Sequence, residues 1–377
     1  MPADKGTLAV GDEREVVIGP VAHGGHFVAH SDGRTLFVRH ALPGERVRVR
    51  VTEVAKRIVR ADAVAVLEAS ADRVSPPCRW AGAGSCGGCD FQHVSLPAQR
   101  RLKTQVLRES LQRFGHIAAD DPVMSVEVEE LPGATDGLRW RSRMTWADAP
   151  DGTRGLHPHR SHDVLSIDEC LLAEVAIARP DAPARGKVSR TVRDRTWRMA
   201  DGDFWQVHPG LPEALVDAVL GFGRPAQGQT WWDLYAGAGL FSAFLAESVG
   251  PDGSVEAVET SSAALRSARR ALHDLPNVHL HEADVTAWLK WTEESSPDAV
   301  VLDPPRAGAS AAVVDALAKR RVPTVVYVAC DPVALSRDVA LFAQHGYALT
   351  ALRGFDGFPM THHFETVALL SGSVSSS

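Results

Sequence analysis

Hydrophobic and polar residues follow two different periods along this chain. From Glu15 to Ala69 they alternate in short runs, REVVIG, GHFVAH, RTLFVRH, ERVRVRVTEV and RADAVAVLEAS, separated by Gly-rich turns such as His23-Gly24-Gly25-His26 and Asp32-Gly33. This alternation predicts about five half-buried strands, a small β-barrel of OB-like character. Leu96 to Phe114 repeats at helical spacing and is stopped by Gly115, which predicts an amphipathic helix. More short strands are expected after it, Leu138–Trp146 (LRWRSRMTW) being the clearest. The Pro-, Arg- and Asp-rich stretch from Arg179 to Arg198 reads as a connection between domains.

In the C-terminal half, short β-branched runs alternate with helical patterns. Thr230–Leu234, Ser254–Val258, Val278–Glu282, Ala299–Leu302 and Thr324–Val328 each precede a helix, and Tyr347–Phe355 and Glu365–Leu370 follow. Such runs are strands buried on both faces, and their alternation with helices predicts a doubly wound α/β domain with a parallel sheet. The expected organisation is an OB-like barrel at 1–70, a small central α+β domain at 71–200 and the α/β domain at 201–372. Helix 96–114 is available to pack on the α/β domain, and the Ser-rich tail, 373–377, is expected to be disordered.

Composition narrows this only a little. The 377 residues are 45% hydrophobic and 23% charged, ordinary for a soluble globular protein. A formal net charge of −7 carries no global signature of nucleic-acid binding, so any such role must rest on a local patch. The one candidate is Arg46, Arg48 and Arg50, which share a face at period two, followed by Lys56, Arg57 and Arg60 against a single acid, Glu53. It reads equally well as a phosphate-tracking stripe and as a charged, protected edge strand. The N-terminal MPADKGTLAVGDERE is charged where a signal peptide needs an apolar run, and no stretch is long enough to span a bilayer. A cytoplasmic protein with no membrane partner, and a monomer, is expected.

Three of the five cysteines cluster in a Pro- and Gly-rich stretch, Cys78, Cys86 and Cys89, with two glycines between the last pair. Cys170, in a second stretch, could supply a fourth thiolate, and such a set takes zinc or an iron–sulfur cluster, which spacing does not separate. The fifth, Cys330, ends the run Thr324–Val328 just before a helical pattern, where backbone N–H groups and the helix dipole favour a thiolate. Against that stand the ordinary burial of cysteine and the neighbouring charge of Asp331. A second strand, Ala299–Leu302, ends at Asp303 and the rigid pair Pro304-Pro305.

The first strand of the α/β half runs into Asp233-Leu234-Tyr235-Ala236-Gly237-Ala238-Gly239, whose glycines let a nucleotide approach the backbone. Glu259, twenty residues after Gly239, ends the second strand, where an acid can take ribose hydroxyls. Asp284, near the end of the third, is placed for an adenine edge or, equally, for a helix N-cap. Ser242 occupies the last Gly/Ala position of the dinucleotide fingerprint, which is therefore incomplete.

Asp233, the glycines and Glu259 together look like the S-adenosylmethionine site of class I methyltransferases. Nearly the whole chain resembles the RNA (uracil-5-)-methyltransferase family, TrmA/RumA-like. Its barrel resembles that family's TRAM domain, and Cys78, Cys86, Cys89 and Cys170 match its 4Fe–4S ligands. Phe204-Trp205-Gln206-Val207, DLYAGAGLF, LDPPRAG, YVACDP and the segment Asp356 to Glu365 match its further motifs in order. The resemblance implies S-adenosylmethionine bound by Gln206, Asp233, Tyr235, Gly237, Gly239, Glu259, Asp284 and Asp303. It also implies a 4Fe–4S cluster and an unpaired loop of ribosomal or transfer RNA as substrate, the ribosomal branch favoured.

Three departures from the family stand out. The Cys78–Cys86 spacing is two residues longer than usual, Ala329-Cys330-Asp331-Pro332 replaces Ser-Cys-Asn-Pro, and His208 stands where Asn is common. The expected chemistry is addition of the Cys330 thiolate to carbon 6 of uracil, methyl transfer to carbon 5, and removal of the carbon 5 proton by Glu365, with Asp303 bonding the flipped base edge. His362 and His363 are given no catalytic role. A nicotinamide oxidoreductase on the same sheet and a non-catalytic RNA-binding protein with a degenerate methyltransferase domain are the rival expectations.

Overall fold

The computed structural model describes residues 8–133, 135–183 and 185–372, so the tail at 373–377 lies outside the described residues. The described residues group by contact into two units: 8–106, 135–182 and 358–363 in one, and 107–133, 183, 185–357 and 364–372 in the other.

The first unit begins with six strands: β1 (Glu13–Val17), β2 (Val21–Ala22), β3 (His26–Ser31), β4 (Arg34–Arg39), β5 (Arg46–Val54) and β6 (Val59–Glu68). They form one sheet in the order β1-β5-β6-β4-β3-β2, curled so that β1 also touches β3. The alternation does what period two dictates: Val47, Val49 and Val51 of β5 are buried while Arg48 and Arg50 between them are exposed. The arginine strand is not an edge. β5 lies between β1 and β6, and Glu13, Glu15 and Glu68 on those neighbours pair with Arg46, Arg48 and Arg50.

Helix α1 (Leu96–Phe114) forms where expected. The strand expected at Leu138–Trp146 does not form. Arg139 takes φ 58°, which breaks an extended run, and the segment is instead threaded along residues 171–174 through Arg139 N–H to Leu171 O, Arg141 N–H to Leu172 O and Glu174 N–H to Arg141 O. Its apparent alternation comes from Trp140 and Ser142 being buried between arginines in irregular backbone. A three-stranded sheet, β8 (Ala147–Asp148), β9 (Arg154–Leu156) and β10 (Leu165–Ser166), completes this part; β7 (Val128–Glu129) belongs to the second unit.

The stretch read as a connection contains a hairpin, β11 (Lys187–Val192) and β12 (Arg195–Ala200), turned at Arg193 with φ 54°. Trp197 of β12 is fully buried in the core of the second unit, 5.2 Å from Trp205, which outweighs the polar surface around it. Arg195 fastens the hairpin by bonding Glu247, Asp274 and the carbonyl of Ala271.

There follow α2 (Leu211–Gly223), β13 (Thr230–Leu234), α3 (Leu240–Val249), β14 (Ser254–Glu259), α4 (Ser262–Ala271), β15 (Val278–Glu282), α5 (Val285–Trp291), β16 (Ala299–Leu302), α6 (Ala311–Lys319), β17 (Thr324–Ala329), α7 (Pro332–Gln344), β18 (Tyr347–Phe355) and β19 (Glu365–Gly372). The sheet order is β15-β14-β13-β16-β17-β19-β18-β7, parallel through β17, with β19 antiparallel to β17 and to β18. This is the expected doubly wound α/β domain. The chain runs outward from β13 to β15, then returns to place β16 on the other side of β13, which opens a crevice at the strands' carboxyl ends. Among the described residues no helix is long and apolar enough to cross a membrane.

Candidate active site

Both halves of the site sit at that switch point. β13 delivers Asp233, fully buried, whose Oδ2 accepts from Ser242 N–H at 2.9 Å and Ser242 Oγ at 2.5 Å. Ser242, where the dinucleotide fingerprint would have Gly or Ala, is thus a tether for this carboxyl. The turn then passes through Tyr235 (φ 67°), Gly237 (φ 56°) and Gly239 (φ 78°). At Gly239 the positive φ would strain any side chain, and a Cβ would also press on Leu272 Cδ1 at 2.7 Å. Gly237 N–H donates to Glu259 Oε2 at 2.9 Å while Ser261 N–H donates to Oε1 at 2.6 Å, so Glu259 ties the first turn to the end of β14. The Trp197 indole N–H donates to Ala238 O at 2.9 Å, a support from the hairpin that sequence reasoning missed. Asp284 caps α5, accepting from Ala287 N–H at 3.0 Å, and is close enough to Tyr235 to oppose its ionisation. Gln206 is half-buried on the loop before α2 and makes no hydrogen bond among the described residues.

β16 delivers Asp303, and β17 ends at Ala329. Ala329 is the last residue of β17 paired with β19, opposite Thr366, whose hydroxyl donates to the Ala329 carbonyl at 3.0 Å. One step further along this antiparallel register stand Cys330 and Glu365. Sequence reasoning did not find what holds the 303–309 loop. Tyr327 Oη donates to Asp338 Oδ2 at 2.5 Å, and Ala309 N–H lies 2.7 Å from the same oxygen and 3.0 Å from Tyr327 Oη. Gly308 (φ 92°) passes so close that a Cβ would come within 2.6 Å of Asp338 Oδ2. A lone Asp in a helical pattern gives no sequence signal for this; the glycine of PPRAG was the only hint.

The electrostatics are dominated by acids close enough to raise one another. Burial pushes Asp233 up to about 6, with Glu259 adding to it. Burial followed by the charges of Asp233 and Glu259 pushes Asp303 up to about 7. Glu365 is raised well above the carboxylate range by burial and then by Asp303, with Arg306 opposing. The Cys330 thiol rises to about 12 through burial, then Glu365, with Arg306 lowering it and Asp303 and Asp331 adding to the rise. The thiolate-favouring environment expected at the start of α7 is therefore absent in the ligand-free site. Burial and Glu365 are the main reasons, and Asp331 adds to them: its carboxylate takes the N–H groups of Val333 and Ala334 at 3.0 and 2.8 Å, so the helix N-terminus is already capped by an anion. Asp233 Oδ1 is buried with no partner among the described residues. Such an arrangement calls for a cation.

The four remaining cysteines are all half-buried and lie in the first unit. Their charges act on one another: Cys170 on Cys78, Cys86 and Cys89, and Cys78 on Cys86 and Cys89. Two sulfurs already have donors, Gly88 N–H at 3.5 Å from Cys86 Sγ and Gln92 Nε2 at 3.1 Å from Cys89 Sγ. Among the described residues no group of three His, Cys, Asp or Glu side chains is gathered closely enough to hold one metal ion. What the four thiols share is mutual electrostatic reach and, at Cys86 and Cys89, an N–H donor on the sulfur, the donor chemistry of a thiolate-held metal centre without a gathered ligand geometry.

Known proteins align with both parts. The TRAM domain family matches residues 8–64 and the tRNA (uracil-5-)-methyltransferase family matches residues 292–373, which span Asp303, Cys330 and Glu365. An RNA methyltransferase of Streptomyces avermitilis is 41% identical over 427 residues, covering 96% of this chain and 98% of its own length. The 23S rRNA (uracil(1939)-C(5))-methyltransferase RlmD of Halomonas elongata is 33% identical, covering 95% of this chain and 89% of its own. The tRNA (uracil-54, C5)-methyltransferase of Pyrococcus abyssi, solved with S-adenosyl-L-homocysteine, has the same fold, with a TM-score of 0.69 at 19% identity over 94% of this chain and 99% of its own. With relatives this similar over nearly its full length, the chain belongs to the RNA (uracil-5-)-methyltransferase family.

Proposed function

We propose that the protein methylates carbon 5 of a uridine in RNA through a covalent adduct with Cys330, using S-adenosylmethionine. The observation that carries this is the end of the β17–β19 ladder, where the half-buried Cys330 and the buried Glu365 stand opposite one another and Asp303 is near enough for its charge to act on both. Bound S-adenosylmethionine supplies an electrophilic methyl group on a sulfonium. Its positive charge is what the crowded carboxyls of Asp233, Glu259 and Asp303 lack, whereas the pyrophosphate of a nicotinamide dinucleotide would meet them as a like charge. In this reading Glu259 would take the ribose, Gly237 and Gly239 would allow close backbone approach, and Asp233, Tyr235, Gln206 and Asp284 would hold the rest of the cofactor.

A cation in the site favours ionisation of both Cys330 and Glu365, which burial and mutual repulsion oppose in the free protein. Cys330 Sγ then bonds to carbon 6 of a flipped-out uracil, and the C5–C6 π pair moves to form the enolate, while Asp303 accepts from an N–H on the base edge and orients the ring. Carbon 5 takes the methyl group as the methyl–sulfonium bond breaks. Glu365 removes the carbon 5 proton, the electron pair re-forms the C5–C6 double bond, and the sulfur leaves. Two single substitutions separate the halves. Cys330→Ala should abolish methyl transfer and leave cofactor binding intact. Glu365→Gln should still add and methylate but stay attached, giving an RNA-shifted band on a denaturing gel that carries label from the cofactor. Near wild-type turnover by Glu365→Gln would remove the base from this scheme, and methylation by Cys330→Ala would remove the adduct.

Ribosomal RNA is the favoured substrate: relatives named as 23S rRNA enzymes match nearly the whole chain at 33% and 31% identity. The domain reading that accompanies this is RNA binding by the barrel at 1–70, a central iron–sulfur part at 71–200 and catalysis at 201–372. Cys78, Cys86, Cys89 and Cys170 would hold a 4Fe–4S cluster as a structural tie, since uracil methylation transfers no net electron. Anaerobically purified protein should be brown with about four irons per chain; colourless protein without iron would sink that assignment.

A further inference from the structure

We propose that β6 and the loop between Cys78 and Cys86 enclose a recess that takes one unpaired base of the RNA, a base other than the one methylated. The recess lies wholly within the first unit and measures about 220 Å³. Pockets that hold a drug-sized ligand run from roughly 300 to 1,000 Å³, so this one has room for a single heterocycle. Part of its lining is β6 from Ala63 to Val66. β4 pairs with β6 only as far as Asp62, so beyond that point this edge of the strand has no partner among the described residues. Val64 and Val66 are each left 37% exposed, apolar surface against which the face of a ring can lie. The rest of the apolar lining is Pro76 and Ala81 to Ala83, in the loop whose length departs from the family.

The polar lining offers a donor and an acceptor that no other described residue uses. Arg73 engages Glu45 and the His40 carbonyl through Nε and Nη2, which leaves Nη1 without a partner among the described residues. His93 is only 5% exposed, and burial pushes it down to about 4, so it is neutral at physiological pH. Its Nε2 lies 3.0 Å from the Ala41 carbonyl and must carry the hydrogen, so Nδ1 presents a bare lone pair. The His40 ring, 6.1 Å from that of His93, makes no hydrogen bond among the described residues. Every nucleobase carries an N–H beside an acceptor on its pairing edge, which is the complement of this array. The charges around it are paired off, Arg73 with Glu45 and Asp90 with Arg39 and His362. No surplus cation is left for a phosphate, so a neutral ring fits better than the backbone. A peptide strand, the other polymer that open sheet edges attract, would need a longer free edge with no wall across it.

This inference rests on RNA being the substrate. Arg73 and His93 also hold the fold, so the test fills the recess instead of stripping it. Ala65→Leu on β6 and Ala83→Leu on the loop are compared with the wild-type full chain. Filter binding over a salt series measures single-stranded rA, rC and rU octamers and an abasic octamer with the same phosphates. The wild type should bind at least one base-bearing octamer more tightly than the abasic one, and each variant should lose about fivefold or more of that margin. Abasic affinity, salt slope and S-adenosylmethionine affinity should stay unchanged, which also shows that the variants fold. If both variants keep the wild-type margin, no base enters the recess; a peptide occupant would give the same result. An equal loss for base-bearing and abasic octamers would mean that the recess meets backbone, and the proposal falls. Should one variant fail to fold, the other decides. A wild type that binds no octamer of either kind removes RNA binding by the barrel and this proposal together, whereas binding without a base-dependent margin removes this proposal alone.

Discussion

Asp303 is the residue whose titration reports most directly on the site. Its carboxyl is pushed up to about 7 by burial and by Asp233 and Glu259, so a large fraction is protonated at neutral pH in the free protein. A cationic ligand prefers the ionised form. Below the raised pKa, binding must first expel a proton and affinity falls with pH; above it, no proton is lost and affinity is flat. The affinity for S-adenosylmethionine should therefore rise by up to roughly tenfold per pH unit below about 7 and level off above about 8. Isothermal titration in buffers of different ionisation enthalpy should detect proton release at pH 6.5. Asp303→Asn should bind more weakly and with a shallower pH profile, the part left by Asp233 at about 6. A profile unchanged by Asp303→Asn would show that this carboxyl does not face the cation. Cys330 and Asp303 were legible as strand-end residues, because an apolar run that stops at a polar residue and proline has few other meanings. The raised thiol was legible only in part: burial and Asp331 already counted against a thiolate, but the larger effect of Glu365 was not, because it depends on the long-range pairing of β19 with β17.

At the scale of elements, what was legible followed from burial on both faces. β13, β16 and β17 are buried almost throughout, so they appear in the sequence as unbroken apolar runs with sharp ends. The antiparallel return of β19 between β17 and β18 was not legible, although that insertion brings Glu365 beside Cys330. Strand order is set by pairing over long sequence separations, for which period carries no information. The Arg139 and hairpin misreadings have a shared origin: charged residues at alternate positions say nothing about whether the backbone between them is extended. The lock on the 303–309 loop is a further element-scale device, and it predicts a measurable cost. Tyr327→Phe removes the hydroxyl from a buried Asp338 oxygen that also receives Ala309 N–H. It should destabilise the protein by about 1–3 kcal/mol in urea unfolding, the cost of an under-satisfied buried polar group. Gly308→Ala should add backbone strain and a clash with Asp338, and weaken cofactor binding as well, since the loop begins at Asp303. Wild-type stability in Tyr327→Phe would mean the hydroxyl is replaceable by water.

For the whole molecule the question is how a chain of net charge −7 holds a polyanion. The basic stripe read from the sequence divides in two when folded. Arg46 faces Glu15 and Glu68, and Arg48 and Arg50 share Glu13, at 2.8–3.8 Å; three acids thus offset three cations, and this face projects almost no net field. The β5–β6 turn differs. Lys56 and Arg57 are exposed there, Arg34 reaches across to the Ala55 carbonyl, and Arg60 and Arg160 share the single carboxylate of Glu53. Five cations against one acid make this end of the barrel the place where phosphates would displace counterions. Replacing Lys56 and Arg57 by Gln should weaken RNA binding at low salt and flatten the log affinity–log salt slope by about 1.4, taking roughly 0.7 per charge for single strands. Replacing Arg46, Arg48 and Arg50 by Gln should leave the slope within about 0.7 of the wild type despite removing more charge, because their glutamates already hold them. Filter binding over a salt series measures both. If the triple variant flattens the slope more than the double one does, the exposed ion pairs on β5 open to take phosphate, and the RNA path runs along the strand instead of over the turn.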